Sequence, residues 1–440
     1  MEQRIFTSDD YALDWARSHL QFDSSKLVTE APWARTYKLF GGSDQAFLKL
    51  LPPACSRSTT TTPILAHQFP QNLPEVISKD AELGLLLLRN QRGRRLDRDA
   101  SDDERRRLLK TYAGIQAAVS KNSDLVELFP TLDLAVLVPM LLDFLNPRAP
   151  RGETDGKVGA VYFLGRTRTR RYHDALSARS DLIAKQIALA GKLPATVNHC
   201  DLRLKNAKVM RDSTIVFTGW DDATVGPAGL SLHALFKGCS KPATIIEGSP
   251  LSNTAARFAQ ERFLLDAYMD ELVQGGYAEK SDLEQSLPGA ICAGAVKQLI
   301  WYVDYPDDSR RYRRRVRRIL EAQLSDLLDF CDVIALRDRL SVLRSAIDYR
   351  SNGRSWRAER LLRRHLSTNR NDPQALTQLA SVLHERNKRS EAIDVFRDVV
   401  ELRPNDASLL NDYGVALMED LRLDDAITMF RRASQLDSSP

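Results

Sequence analysis

The chain has 440 residues, 43% hydrophobic and 28% charged, with a net charge of +5. That length exceeds one typical core, so two or three domains are expected, and so slight a charge does not mark a nucleic-acid binder. Cys55, Cys200, Cys239, Cys292 and Cys331 are widely spaced and form no C-x-x-C pair, which argues against a disulfide framework or zinc site and for reduced thiols. The polar start MEQRIFTSDD lacks a signal-type apolar core, and the apolar stretch 132–145 is interrupted by Asp133, Pro139 and Asp143. A cytoplasmic protein without membrane contact is expected.

In chain order, Ser8 followed by acidic residues and then Ala12, Leu13, Trp15 and Ala16 predicts a capped opening helix. Residues 34–40 suit a strand, Gly41 to Asp44 a turn, and 46–51 a second strand that carries Lys49 among apolar neighbours. A polar, threonine-rich stretch at 56–62 leads into a short helix. Residues 76–79, 80–83 and 84–89 predict strand, turn and strand, so the first 90 residues read as a small antiparallel sheet with little helix. Helical texture follows at 102–121, where Leu108, Leu109, Tyr112, Ala113 and Ile115 keep helical spacing, and at 135–145 and 181–189. Arg166, Arg168, Arg170 and Arg171 are placed in a loop before a helix. Short strands joined by polar turns are expected over 196–220, and helices again over 258–330.

Arg310, Arg311, Arg313, Arg314, Arg315, Arg317 and Arg318 crowd one predicted helix. Consecutive positions cannot share one face, so a solvated helix is the plain reading and a docking surface for an anionic partner the functional one. Neither arginine run is interleaved with aromatics in the manner of single-strand platforms, and nucleic acid is not an expected partner. Beyond them the sequence repeats: Ala392-Ile393 recurs as Ala426-Ile427 and Phe396 as Phe430, each 34 positions on, with Leu379, Ala380 and Leu383 matching Tyr413, Gly414 and Leu417. Ala346, Ala358 and Leu362 mark a more divergent copy. The period and the small/large pattern resemble tetratricopeptide repeats, between about 337 and 438.

The sharpest motif is His199-Cys200-Asp201, followed by Asn206 in the spacing H-x-D-x4-N. Alone it also suits a surface turn with an Asx cap. Its context is a strand bearing Lys49, then Phe69-Pro70, Leu73-Pro74-Glu75-Val76, the run from Leu85 to Asn90, and downstream Gly219-Trp220-Asp221-Asp222-Ala223. In that order, over roughly residues 30–330, the chain resembles the aminoglycoside phosphotransferase and choline-kinase superfamily, relatives of the protein kinases.

The resemblance implies an α+β, bilobal protein-kinase-like fold followed by an all-α repeat domain. Residues 1–90 would form the mainly β lobe, 91–335 the helical lobe with the catalytic loop, and 336–440 the tetratricopeptide repeats. It implies an ATP- and Mg²⁺-dependent transfer of phosphate to a hydroxyl of a small molecule. Asp201 would be the catalytic carboxylate, Lys49 the phosphate clamp and Asn206 a metal ligand, with His199 bracing the loop. Residues 88–91, with Leu88 and Asn90, would form the hinge whose backbone reads adenine. The repeats would bind a protein partner.

Three positions depart from the pattern. Gly219 stands where the family has its main magnesium carboxylate, and a glycine offers no side-chain oxygen. Asp221, two positions on, would share its face if the backbone stayed extended through Trp220, and on that premise becomes the second metal ligand. No acid follows Lys49 in the 55–62 segment where the family places the glutamate that holds this lysine, and Cys200 replaces a glycine. With two acids absent, the alternative is a pseudokinase-type ligand-binding or adaptor protein.

Overall fold

The structure is a computed structural model that describes residues 6–31, 34–41, 44–52, 58–97, 99–150, 157–234, 262–301, 310–367 and 369–437. Cys55, Cys239 and residues 258–261 lie outside the described residues, as do the side chains of Arg310 and Arg311. The chain divides into two compact units, Met1–Cys331 and Asp332–Pro440.

The first unit opens with helix α1 (Asp9–Arg17), capped by Ser8. Five strands follow: β1 (Ser24–Ala31), β2 (Ala34–Gly41), β3 (Asp44–Leu50), β4 (Val76–Asp80) and β5 (Leu85–Arg89). They form an antiparallel sheet in the order β1-β2-β3-β5-β4. Alternation along β3 and β5 divides its faces. Ala46, Leu48, Leu50, Leu85 and Leu87 pack with Ala12 and Ala16 of α1, while Phe47, Lys49 and Leu88 turn to the opposite face and line a cavity. Helix α2 (Ser58–Gln68) lies between β3 and β4 and buries Ser58, Thr59, Thr61 and Thr62.

Helix α3 (Asp102–Ser120) starts from a capping box between Ser101 and Glu104 and buries Tyr112 and Gln116. After α4 (Ser123–Glu127), α5 (Leu137–Phe144) and α6 (Ala160–Leu164), the basic run expected in a loop instead forms the start of α7 (Arg166–Ser177). Gly165, at φ +77°, separates α6 from α7, and nothing between Arg166 and Arg171 breaks a helix. Then come α8 (Ser180–Ala190) and strand β7 (Ala195–Asn198), which pairs with β10 (Thr224–Pro227). Strand β8 (Ala207–Val209) lies between the two-residue β6 (Arg94–Arg95) and β9 (Ile215–Phe217). Helices α9 (Arg262–Gln274), α10 (Lys280–Ile300) and α11 (Arg310–Ser351) follow. No helix among the described residues is long and apolar enough to cross a membrane.

The second unit contains α12 (Ser355–Leu366), α13 (Pro373–Glu385), α14 (Arg389–Leu402), α15 (Ala407–Glu419) and α16 (Leu423–Asp437). Its geometry repeats with the period of the sequence. Gly353, Asn387 and Leu421, spaced by 34, all take positive φ (68°, 59° and 64°). In each case the next residue's N–H returns to a carbonyl five back: Arg354 to Tyr349, Lys388 to Leu383, Arg422 to Leu417. This left-handed ending closes a helix and turns the chain into the next. Asp372 and Asp406, again 34 apart, cap α13 and α15. A Cβ on Gly414 would fall 2.6 Å from the Phe430 ring, so the close approach of α15 and α16 requires glycine there.

Val316, Leu320, Leu324 and Leu327, in the first half of α11, are buried, while Leu343 and Ala346, in its second half, join the core of the second unit. A chain ending near Cys331 is therefore expected to stay soluble and folded, since each unit has its own core. Circular dichroism and size exclusion check this; aggregation of the shortened chain would show that the first unit depends on the second.

Candidate active site

Strand β3 presents Lys49 to the cavity, and its partner lies 172 residues away: both oxygens of Asp221 are 3.0 Å from Lys49 Nζ. Ser58, opening α2, donates its hydroxyl to Asp221 Oδ1 at 2.5 Å. Side-chain exposures of 16% for Lys49 and 32% for Asp221 set this pair apart from a freely solvated surface pair. Burial pushes the Asp221 carboxyl up, but the Lys49 ammonium and the Ser58 hydroxyl prevail and hold it below the usual carboxylate range. The lysine thus has an acidic partner, though not from the helix after it.

The segment between β7 and β8 is pinned from below. Tyr112 Oη accepts from the His199 N–H at 3.0 Å, Ser231 Oγ accepts from the Cys200 N–H at 3.0 Å, and the two hydroxyls share a 2.7 Å bond. Cys200 sits at φ +61°, the conformation that a glycine would take without cost; for an L residue it costs about 1–2 kcal/mol. His199 is fully buried against Trp220. Burial keeps its imidazole below the ordinary pKa, against the pull of Asp201. Nδ1 accepts from the Asp201 N–H at 3.3 Å, which leaves the proton on Nε2 for the Thr218 carbonyl at 3.0 Å. A neutral ring with both nitrogens engaged braces the loop.

Asp201 and Asn206 meet directly: the Asn206 amide donates to the Asp201 carbonyl at 2.8 Å and to Oδ2 at 3.0 Å. Arg203 Nε lies 2.6 Å from the other carboxylate oxygen. Asn206 also receives β9, through Thr218 N–H on its carbonyl at 2.8 Å.

Beyond β9 the expected extended backbone is absent. Gly219 is left-handed (φ +84°) and 220–222 form a turn of 3-10 helix. The premise that Asp221 shares a face with residue 219 along a strand is thus corrected. Trp220, fully buried, is drawn into the core against Tyr112, His199 and Phe217, and the chain curls around it. Asp221 reaches the cavity from the turn instead. A Cβ on Gly219 would point at the Asn206 side chain, 3.7 Å from Nδ2.

Lys49, Leu88, Asp201, Asn206 and Asp221 all line this cavity of about 640 Å³. Asn90 is not among its lining residues; its side chain faces Gln45 (2.9 Å) and Lys208 (2.9 Å). Sequence reasoning missed Ser58, Lys208 and Lys297, which carried no signal; Asp222, noted beside Asp221 in the motif, also lines the cavity.

Asp222 is pushed up to about 6, by burial first and by the Asp221 and Asp201 carboxylates, against the pull of Lys297. A folded-state value above the ordinary 3.8 means that the native protein holds this proton more tightly than the unfolded chain. The stability so contributed is present below about pH 4 and is lost as pH rises through 6. Asp222→Asn is expected to gain on the wild type between pH 4 and pH 7.5, by on the order of 3 kcal/mol at most. Urea unfolding of both proteins across that range checks this, and a difference constant with pH would refute it.

Magnesium bound to a nucleotide keeps waters and phosphate oxygens and takes only one or two protein carboxylates. The Asn206 amide oxygen and the Asp221 and Asp222 carboxylates are hard donors on one cavity, so the residue chemistry fits such an ion. Among the described residues no three acidic, histidine or cysteine side chains converge as a metal cluster.

No protein-family model matches the chain, and no curated protein matches it. Its fold is similar to that of a choline kinase from Cryptosporidium parvum Iowa II, with a TM-score of 0.52 and 9% identity, over 75% of this chain and 97% of that one. An ethanolamine kinase from Plasmodium vivax gives 0.49 at 12% identity (73% and 92% covered), and a choline kinase from Streptococcus pneumoniae 0.47 at 12% (72% and 98%). A sheet-bearing lobe, a helical lobe and the first of these likenesses together make the fold of this chain protein-kinase-like, with a helical region after it.

Proposed function

We propose that the first unit is a phosphotransferase that moves the terminal phosphoryl group of a nucleoside triphosphate to a hydroxyl of a small molecule. The observation that carries this reading is convergence: Lys49 from β3, Asp201 and Asn206 from one loop, and Asp221 from the turn after β9 line one cavity. In this reading Lys49 neutralises the donor's phosphates. Asp201, oriented by Arg203 and Asn206, takes the proton of the acceptor hydroxyl. The bond from that oxygen to the terminal phosphorus forms, the bond to the bridging oxygen breaks, and the diphosphate leaves. Asn206 and Asp221 would hold the magnesium ion, which supplies charge neutralisation on the phosphates. Leu88 and its neighbours would seat the base.

The second unit, in this reading, is a set of tetratricopeptide repeats that binds a protein partner, supported by the 34-residue recurrence of turns and caps. The arginine-rich start of α11 would dock an anionic partner. The adaptor alternative is favoured by two observations: residue 219 supplies no carboxylate, and Asp221 is engaged with Lys49 and Ser58. The test incubates the full chain with terminally labelled ATP and GTP, Mg²⁺ and a panel of hydroxyl compounds. Label transferred to an acceptor supports the enzyme. Nucleotide-induced stabilisation without transfer to any of them supports the adaptor.

A further inference from the structure

Part of the backbone of the hinge-like segment 88–91 is already engaged. The Asn90 N–H donates to the Gln45 carbonyl at 2.8 Å, and the Gln91 carbonyl already accepts from the Gly93 N–H at 3.0 Å. That same carbonyl also accepts from Lys208 Nζ at 3.1 Å, while Lys208 reaches Asn90 Oδ1 at 2.9 Å. Lys208 comes from β8, two positions after Asn206, and its ammonium lies 5.8 Å from the centre of the Phe47 ring. Lys208, Gln91, Leu88 and Phe47 all line the cavity. Among the described residues no carboxylate pairs with Lys208. Gln91 Oε1 is buried there and accepts no hydrogen bond.

We infer that Lys208 turns the base preference of this cleft toward a 6-oxopurine, so that the phosphoryl donor is a guanine nucleotide. The inference rests on the nucleotide-dependent reading above and names the base for it. An ammonium only donates. Adenine carries an amino group at C6, which would set donor against donor beside Lys208. Guanine offers O6 and N7 side by side, two acceptors that a lysine reads together. Its N1–H and amino group are donors, and the unpartnered Gln91 Oε1 would accept from them once that side chain turns into the cavity. The cationic surroundings support the same direction: Arg95 also lines the cavity, and its positive charge makes an electron-rich carbonyl a better neighbour than an amine.

The test measures binding of GTP and ATP to the full chain by calorimetry, with and without Mg²⁺, for wild type, Lys208→Met and Lys208→Arg. The expected result is GTP at least about tenfold tighter than ATP in the wild type. The preference should be kept in Lys208→Arg and lost in Lys208→Met, with each variant's fold checked by circular dichroism. Equal or tighter ATP binding by the wild type, or a GTP preference untouched by Lys208→Met, overturns the inference and leaves the phosphotransferase reading standing. Binding of neither nucleotide overturns both.

Discussion

Replacing Asp201 by asparagine is expected to lower phosphoryl transfer by about 10²–10⁴-fold, the range a positioned general base supplies. Nucleotide affinity should change by no more than a few-fold. The asparagine keeps an oxygen able to accept from the Asn206 amide, which now bonds Oδ2 at 3.0 Å, so the loop retains most of its hydrogen bonds. It loses the charge that faces Arg203 at 2.6 Å, and with it the capacity to take a proton from a hydroxyl. Steady-state transfer of labelled phosphate, with calorimetric nucleotide binding alongside, separates the two effects. Turnover near that of the wild type would remove Asp201 from the chemistry. A matched collapse of nucleotide binding would mean instead that the loop had lost its shape.

The parts legible in the sequence were those set by periodicity or by spacing within a short segment. Lys49 could be placed because alternation along β3 puts it opposite Leu48 and Leu50, and Asp201 and Asn206 because one loop carries both. The 34-residue period announced where the tail's helices recur, but not the left-handed ending at Leu421, since nothing in a leucine signals positive φ. Strand β1 went unread: SSKLVTEA is exposed along nearly its whole length and carries no alternation. Ser58 was hidden in a polar, threonine-rich run whose composition gives no sign of burial, whereas tertiary packing buries Ser58, Thr59, Thr61 and Thr62, with Thr61 on the Trp220 carbonyl. Asp221 was picked by a strand argument that the 3-10 turn removes, and it reaches the cavity because Trp220 is pulled into the core. Long-range pairs such as Lys49–Asp221, 172 residues apart, leave no mark on local sequence.

That pair yields the second large effect. Asp221→Ala removes the carboxylate from Lys49 and Ser58 together, leaving an enclosed ammonium without its acid; a stability loss of about 1–3 kcal/mol is expected. If Asp221 also holds the magnesium, Mg²⁺-dependent nucleotide affinity should fall at least about tenfold, because one of few hard oxygens is gone. Gly219→Asp tests the place the sequence left bare. Its Cβ has room beside Asn206, 3.7 Å from Nδ2, so the fold should survive. The left-handed backbone at φ +84° adds strain of roughly 1–2 kcal/mol. In an enzyme that uses Asp221, the new carboxylate should alter metal-dependent binding only modestly. In an adaptor, Asp221→Ala should leave nucleotide binding indifferent to Mg²⁺, and Gly219→Asp should create a dependence where none existed. Titrating Mg²⁺ against a fluorescent nucleotide in wild type and both variants distinguishes these cases. Metal-dependent binding that survives the loss of Asp221 would take the ion away from it and point to Asp222, the remaining acid of the turn.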